Sequence, residues 1–280
     1  MSFEIIEKIR LNPVTWKAVI RAPLVARSAQ PGQFVVIILS EDGERIPLTI
    51  TNSDPDSGTI TIIFQEVGKT TKQFSLLTKG DSLQAVLGPA GRPTHFKKAG
   101  RVVLVAGGVG IAEIWPIARY ARAHGNHITA ILGARSRDLL ILEDEIRRSV
   151  DRLIITTDDG SYGIKGLVTQ PLKELLNTEK FNLAYVVGPD IMMKSVSDVT
   201  RGYALTTIVS LDANMVDATG MCGTCRVTVG KEVKFSCVHG PEFDGHLVDW
   251  DEFLKRQKRF ASQEAVSLKH FEERRCQKCR

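Results

Sequence analysis

Residues 1–98 alternate short apolar runs with turn residues. Phe34-Val-Val-Ile-Ile-Leu39 follows Pro31-Gly32, and Thr59-Ile-Thr-Ile-Ile-Phe64 follows Asp56-Ser-Gly58. Runs of Val, Ile, Thr and Phe suit a pleated, half-buried surface, and Gly, Pro and Asp between them supply turns. Many such strands in succession predict an antiparallel barrel or sandwich.

The pattern changes near Gly100. Five mostly apolar runs, Val102–Ala106, Ile128–Leu132, Leu153–Thr157, Ala184–Val187 and Thr207–Leu211, read as strands buried on both faces. Between them, Ala112–His124, Asp138–Val150, Val168–Leu176 and Ile191–Thr200 read as helices. This alternation predicts a parallel sheet with helices on both faces. After Leu211 the chain becomes rich in Gly, Cys and Asp, with two short strand candidates, Arg226–Val229 and Val233–Ser236. The expected organisation is α+β and multidomain: a β domain over 1–98, an α/β domain over 99–211, a small cysteine-bearing module over 212–250 and a basic helical tail over 251–280. No internal repeat or low-complexity segment interrupts it.

With 43% hydrophobic and 25% charged residues among 280, the chain has material for a sizeable core, which excludes disorder throughout. No uncharged apolar run approaches the ~18–20 residues of a membrane span. Met1-Ser-Phe-Glu-Ile-Ile-Glu-Lys8 carries acids where a secretory signal has its apolar segment. The expected compartment is the cytoplasm, with no membrane contact. The net charge of +5 is uneven: residues 251–280 hold nine Lys/Arg against five Asp/Glu, while the rest carries 28 against 27. A nucleic-acid-binding surface would show more excess, so no nucleic acid partner is expected.

Val105-Ala-Gly107-Gly108-Val-Gly110 follows a predicted buried strand and opens a helix. Glycines there let backbone approach a pyrophosphate, and the helix end supplies N–H donors; the plain alternative is a tight turn without ligand. Gly133-Ala-Arg135, Asp158-Asp-Gly160 and Val187-Gly188-Pro189 end the next three strands. Four successive strand ends of small or polar residues mark one ligand-binding edge. Arg135 suits a phosphate oxygen, although a solvated surface role explains it equally well. In the β domain, Arg45-Ile-Pro47-Leu48-Thr49 reads blind as a strand with a proline. Gly68-Lys-Thr70-Thr71 reads as a turn and helix start, without the longer P-loop spacing.

All five cysteines follow position 221. Asp217, Cys222, Cys225 and Cys237 match the plant-type [2Fe–2S] spacing, with aspartate in the first ligand position. A carboxylate binds iron but is harder than a thiolate. Zinc is the rival, with Cys222, Cys225, Cys237 and His239 as a Cys3His set. His239 also reads as a hydrogen-bonding neighbour. Cys276 and Cys279 form a terminal pair without further ligands nearby, and no fixed role is expected for them. Trp16, Phe74, Trp115, Trp250 and Phe253 read as packing residues.

Taken in order, Pro31-Gly-Gln-Phe34, Arg45-Ile-Pro-Leu-Thr49, Gly88-Pro-Ala-Gly91, Gly107-Gly-Val-Gly110, Gly133-Ala-Arg135, Asp158-Asp-Gly-Ser-Tyr-Gly163 and Cys222-Gly-Thr-Cys225 resemble the ferredoxin–NADP reductase-like superfamily. The resembling branch ends in a [2Fe–2S] module and includes dihydroorotate dehydrogenase electron-transfer subunits. It also includes the small subunit of electron-bifurcating NADH-dependent ferredoxin–NADP oxidoreductase, also described as a sulfide dehydrogenase subunit. The resemblance implies an FAD-binding antiparallel β-barrel, an α/β parallel-sheet NAD(H)-binding domain and a [2Fe–2S] module. It implies FAD contacts at Arg45, Pro47, Leu48, Thr49, Gly68, Thr70 and Thr71. It implies dinucleotide contacts at Gly107, Gly108, Gly110, Gly133, Arg135, Asp158 and Gly188, and cluster ligation by Asp217, Cys222, Cys225 and Cys237. Acids at Glu143-Asp-Glu145 favour NAD over NADP, because they would repel a 2′-phosphate.

Two departures matter. Many relatives follow the Gly-rich turn with proline, whereas this chain has Glu113 and delays its proline to Pro116. Dihydroorotate-type subunits carry four cysteines where this chain has Asp217 and three, which resembles the bifurcating small subunit. The implied activity is hydride exchange with NAD(H) at FAD, then single-electron transfer through the cluster to a larger flavin and [4Fe–4S] partner in a heterodimer, with ferredoxin served indirectly. No side-chain nucleophile or general base is evident, since the cofactors carry the chemistry. The alternatives are a subunit serving dihydroorotate dehydrogenase or another flavoenzyme and, from another class, a zinc-binding regulatory module.

Overall fold

The computed structural model describes residues 3–96 and 98–278, with side chains of the last helix described to residue 274. The Cys276 and Cys279 side chains, and with them any role for the terminal pair, lie outside the described residues.

The β domain contains β1 (Phe3–Asn12), β2 (Thr15–Arg21), α1 (Pro23–Ser28), β3 (Phe34–Ile38), β4 (Ile46–Asp54), β5 (Thr59–Gln65), α2 (Lys69–Leu76), β6 (Ser82–Leu83) and β7 (Ala85–Ala90). Its strands run antiparallel in the order β6-β1-β2-β5-β4-β3-β7, a nearly closed barrel. Inward residues Ile5, Ile20, Ile37, Ile60, Ile62 and Phe64 fill it, and Phe74 of α2 stacks on Phe64 at 4.3 Å. The period-2 alternation of these residues places them on one sheet face, so their burial stabilises one register.

The second domain begins at β8 (Arg101–Gly107) and α3 (Ile111–Ala123), followed by β9 (His127–Ala134), α4 (Glu143–Arg147), β10 (Arg152–Thr157), β11 (Ile164–Lys165) and α5 (Thr169–Thr178). It continues with β12 (Leu183–Val187), α6 (Asp190–Arg201) and β13 (Thr207–Ser210). The order β11-β10-β9-β8-β12-β13 is parallel throughout, with α3 and α4 on one face and α5 and α6 on the other. Sheet order reverses beside β8, so the crevice past its carboxyl end is the expected ligand position.

The predicted helix over Asp138–Val150 is not continuous. Arg137–Leu139 forms one 3-10 turn, Leu142 takes a left-handed φ of 54°, and only Glu143–Arg147 is α-helical. Ile141 is buried on the sheet with Leu140 and Leu142 packed beside it, so burial of this apolar stretch overrides its helical period.

The remaining elements are β14 (Arg226–Val229), β15 (Glu232–Phe235), α7 (Ser236–His239), β16 (Glu242–Asp244), α8 (Trp250–Gln257) and α9 (Ala261–Lys278). β14 and β15 form a hairpin; β16, which the sequence does not signal, adds an antiparallel edge to the large sheet through β13. Trp250 and Phe253 are buried, and the Trp250 indole donates to the Gly245 carbonyl at 2.9 Å. α9 lies against α2, where Lys72 meets Glu272. Among the described residues no helix is long and apolar enough to cross a membrane.

Candidate functional site

A cleft of 460 Å³ opens at the carboxyl ends of the parallel strands. Gly107, Gly108, Gly133, Arg135 and Asp158 line it together, facing Asn12 and Gln65 of the barrel. Gly108 has φ +57°, and a Cβ built there meets no atom within 4 Å. The backbone is therefore bare to the cleft at this turn, as a closely approaching pyrophosphate requires. Gly110 and Gly188 sit behind that wall: a Cβ on Gly110 would lie 2.9 Å from the Gly188 backbone. These two glycines allow the turn after β8 and the turn after β12 to touch.

The acids Glu143-Asp-Glu145 do not line this cleft. Glu143 accepts from the Tyr162 hydroxyl at 2.9 Å and pairs with Arg147 at 2.6 Å, while Glu145 borders a separate groove beside α3. Asp158 is the carboxylate on the cleft wall, so the argument for NAD from the α4 acids has no support in this geometry.

In the barrel, Pro47, Leu48 and Thr49 lie on β4 and Arg45 is exposed just before it. Gly68 precedes α2, where the Thr71 hydroxyl accepts from the Val67 and Gly68 amides at 3.0 and 3.1 Å. The Thr70 hydroxyl donates to the Glu44 carboxylate, which Lys69 also approaches at 3.4 Å. Donors at the first turn of α2 thus already hold an anion, and this donor set fits the phosphates of a flavin dinucleotide.

The cysteine module divides its candidate ligands into two pairs. Cys225 and Cys237 are buried with sulfurs 3.2 Å apart. Asp217 and Cys222 share one loop, in which the Asp217 carboxylate accepts from the Thr219 and Cys222 amides at 3.0 and 2.9 Å. Left-handed Ala218, Gly220 and Gly223 turn this loop. Burial, with the Cys225 thiol alongside, pushes the Cys237 thiol up to about 12, and bound iron would reverse this by taking the thiolate. Two pairs suit a two-iron cluster, in which each iron takes two protein ligands. Among the described residues no group of three or more His, Cys, Asp or Glu is arranged around a single ion. His239 Nδ1 accepts from the Phe235 amide at 2.9 Å and its ring stacks on Phe235. His239 is thus held against Phe235 as a hydrogen-bonding neighbour of the cysteine pair.

One group was not expected. Glu113, on the first turn of α3, is buried where barrel, sheet and cysteine module meet. It accepts from the Thr49 hydroxyl at 3.3 Å, and the Tyr185 hydroxyl lies 2.8 Å away. Tyr185 is also 2.9 Å from Glu242 of β16, which accepts from Thr94 as well. Burial pushes the Glu113 carboxyl above the ordinary range and Glu242 to about 7. The signal for this group was one acid within the apolar run Ile111-Ala-Glu113-Ile-Trp, a departure visible in sequence without its partners.

The profile of the iron–sulfur cluster binding domain of dihydroorotate dehydrogenase B matches residues 212–249, and that of the oxidoreductase NAD-binding domain matches 104–198. A dihydroorotate dehydrogenase B (NAD(+)) electron transfer subunit homolog of Thermotoga maritima is 47% identical over 268 residues, covering 96% of this chain and 95% of its own. A probable subunit of the same kind from Methanocaldococcus jannaschii is 37% identical, with 83% and 86% covered. A solved chain of an NADH-dependent reduced ferredoxin-NADP oxidoreductase, described for flavin-based electron bifurcation, superposes with a TM-score of 0.92 at 44% identity, covering 97% of this chain and 98% of that one. Phthalate dioxygenase reductase shares the fold, with a TM-score of 0.61 at 18% identity, over 82% of this chain and 86% of its own.

Proposed function

The chain belongs to the dihydroorotate dehydrogenase B electron-transfer subunit family, and from that premise we propose that it is the NADH-oxidising small subunit of an electron-bifurcating ferredoxin–NADP oxidoreductase. It is an oxidoreductase electron-transfer subunit of the ferredoxin–NADP reductase-like type, with an NAD-binding and an iron–sulfur domain. The observation that carries the proposal is the division of Asp217, Cys222, Cys225 and Cys237 into an exposed-loop pair and a buried pair. Aspartate in the first position, with the 44% identical bifurcating-complex chain aligned over nearly the whole length, favours this reading over the others.

In this reading Gly107, Gly108, Gly133, Arg135 and Asp158 hold the dinucleotide, with Gly110 and Gly188 keeping the turns in contact. Pro47, Leu48 and Thr49 border the flavin ring, while Arg45, Gly68, Thr70 and Thr71 hold its phosphates. Flavin, when bound, accepts a hydride from NADH and releases electrons one at a time. The chain would bring the barrel and the α/β domain together about that exchange, across the cleft that Gly107, Gly108, Asn12 and Gln65 share. Asp217 and the amides of the ligand loop set the electrostatics at the cluster. Met221, 88% exposed beside Cys222, and Val216, about half exposed beside Asp217, give the cluster end an apolar surface. A larger partner carrying a second flavin and [4Fe–4S] clusters would dock there.

The second reading, service to a dihydroorotate-oxidising partner, is favoured by the names of the relatives from Thermotoga maritima and Methanocaldococcus jannaschii. Anaerobic purification through a tag on the full chain separates the two. Recovery of a larger flavoprotein with [4Fe–4S] clusters and NADPH oxidation supports bifurcation. Recovery of a flavoprotein that oxidises dihydroorotate refutes it.

A further inference from the structure

The net half-reaction of an NADH-fed electron-transfer subunit is NADH → NAD+ + H+ + 2e−. The two electrons leave through the cluster, so one proton per pair must be given up beside the flavin. We propose that Glu113, Tyr185 and Glu242 form a buried proton store, reached through the Thr49 hydroxyl, that takes this proton up and gives it back by the same route.

The geometry counts the protons. A phenol has one hydrogen, yet Tyr185 Oη lies 2.8 Å from Glu113 Oε1 and 2.9 Å from Glu242 Oε1. It donates to one carboxyl, so the other oxygen pair needs a proton of its own, carried by a carboxyl. The pair therefore holds one proton and has room for a second. The surroundings agree. Glu113 also receives Ser210, and its other titratable neighbours are acids, Glu242 and Asp212, with Asp190 beside Asp212. No cation contributes to the shift of either glutamate. Glu242 Oε2 is buried without a hydrogen-bond partner, which makes a full charge there costly.

The store ends on β4, the strand that carries the proposed flavin contacts, and this inference rests on that reading. A proton arriving at Thr49 Oγ1 is accepted on its oxygen as the hydroxyl proton passes to Glu113 Oε2. The Glu113 proton then moves to Tyr185 as the phenol proton moves to Glu242. No bond other than O–H changes, and the electrons go to the cluster and its partner. Glu113 acts through Thr49, the hydroxyl it accepts from.

The test uses the full chain loaded with flavin and cluster. Infrared difference spectra on NADH addition should show a protonated-carboxyl carbonyl band that shifts in D2O and is lost in Glu113→Gln. In stopped flow, the same variant should slow cluster reduction about tenfold or more and flatten its pH profile, while flavin bleaching by NADH changes less. Tyr185→Phe should reproduce the flattened profile. An unchanged band and pH profile in both variants overturn the store. If a variant loses its flavin, static infrared spectra of wild type and Glu242→Gln decide instead: no protonated-carboxyl band in wild type, or one that Glu242→Gln leaves intact, overturns it. Failure of NADH to bleach flavin in the wild type refutes the electron-transfer reading separately.

Discussion

Replacing Gly108 with alanine isolates what the strand-end turn does for the dinucleotide. Gly108 holds φ +57° and its added Cβ would meet nothing within 4 Å. The substitution costs only left-handed strain, ~1–2 kcal/mol, which for a chain this size lowers the melting temperature by roughly 2–6 °C. Gly110→Ala is the contrast. Its Cβ would lie 2.9 Å from Gly188 Cα and N, backbone atoms that cannot swing aside, so it should destabilise by ~3 kcal/mol or more. If the pyrophosphate rests on the bare Gly108 backbone, the methyl of Gly108→Ala stands in its place. NADH affinity should then weaken about tenfold or more, ~1.4 kcal/mol, beyond the small stability loss. Titration calorimetry on the loaded protein, with thermal unfolding alongside, reads both quantities. An NADH Kd within twofold of wild type would refute the argument and leave Gly108 as a turn residue only.

Other outcomes follow from the same geometry. Glu242 is held at about 7 against an ordinary 4.5, so the folded state binds more protons than the unfolded state between those values. Stability should therefore fall as pH rises through that window, by roughly 3 kcal/mol; a thermal midpoint for Glu242→Gln with the wild-type pH slope would contradict this. Cys225→Ala removes half of the buried sulfur pair, and bound iron should drop by more than about half; full iron content would place the ligands elsewhere. Met221→Asp puts a charge on the apolar surface at the cluster, and binding to the larger subunit should weaken about tenfold, read by calorimetry. Unchanged affinity would move the docking surface away from Met221.

Much of this was legible in sequence for reasons of periodicity. The strands of the large sheet are buried on both faces, so Val102–Ala106 and Ala184–Val187 appear as unbroken apolar runs. The candidate cluster ligands are local, and their spacing is readable without tertiary knowledge. What failed was non-local. The Leu139-Leu-Ile-Leu142 run looked helical, but it is spent covering the sheet, with Leu142 left-handed. β16 is three residues long, too short for any period to declare it. Arg45, Gly68 and Thr70 read as ordinary turn and strand residues and stood out only by resemblance. Glu113 was visible as an odd acid, but its meaning depends on Tyr185 and Glu242, which only the folded sheet brings to it.

The central claim is tested most directly by anaerobic titration of the purified chain with NADH and NADPH, followed by optical absorption and EPR, with iron and zinc determined on the same sample. The account predicts bleaching of bound flavin by NADH, iron in the ratio of a [2Fe–2S] cluster, and a rhombic EPR signal on reduction. Zinc in place of iron, with no flavin to bleach, would contradict it.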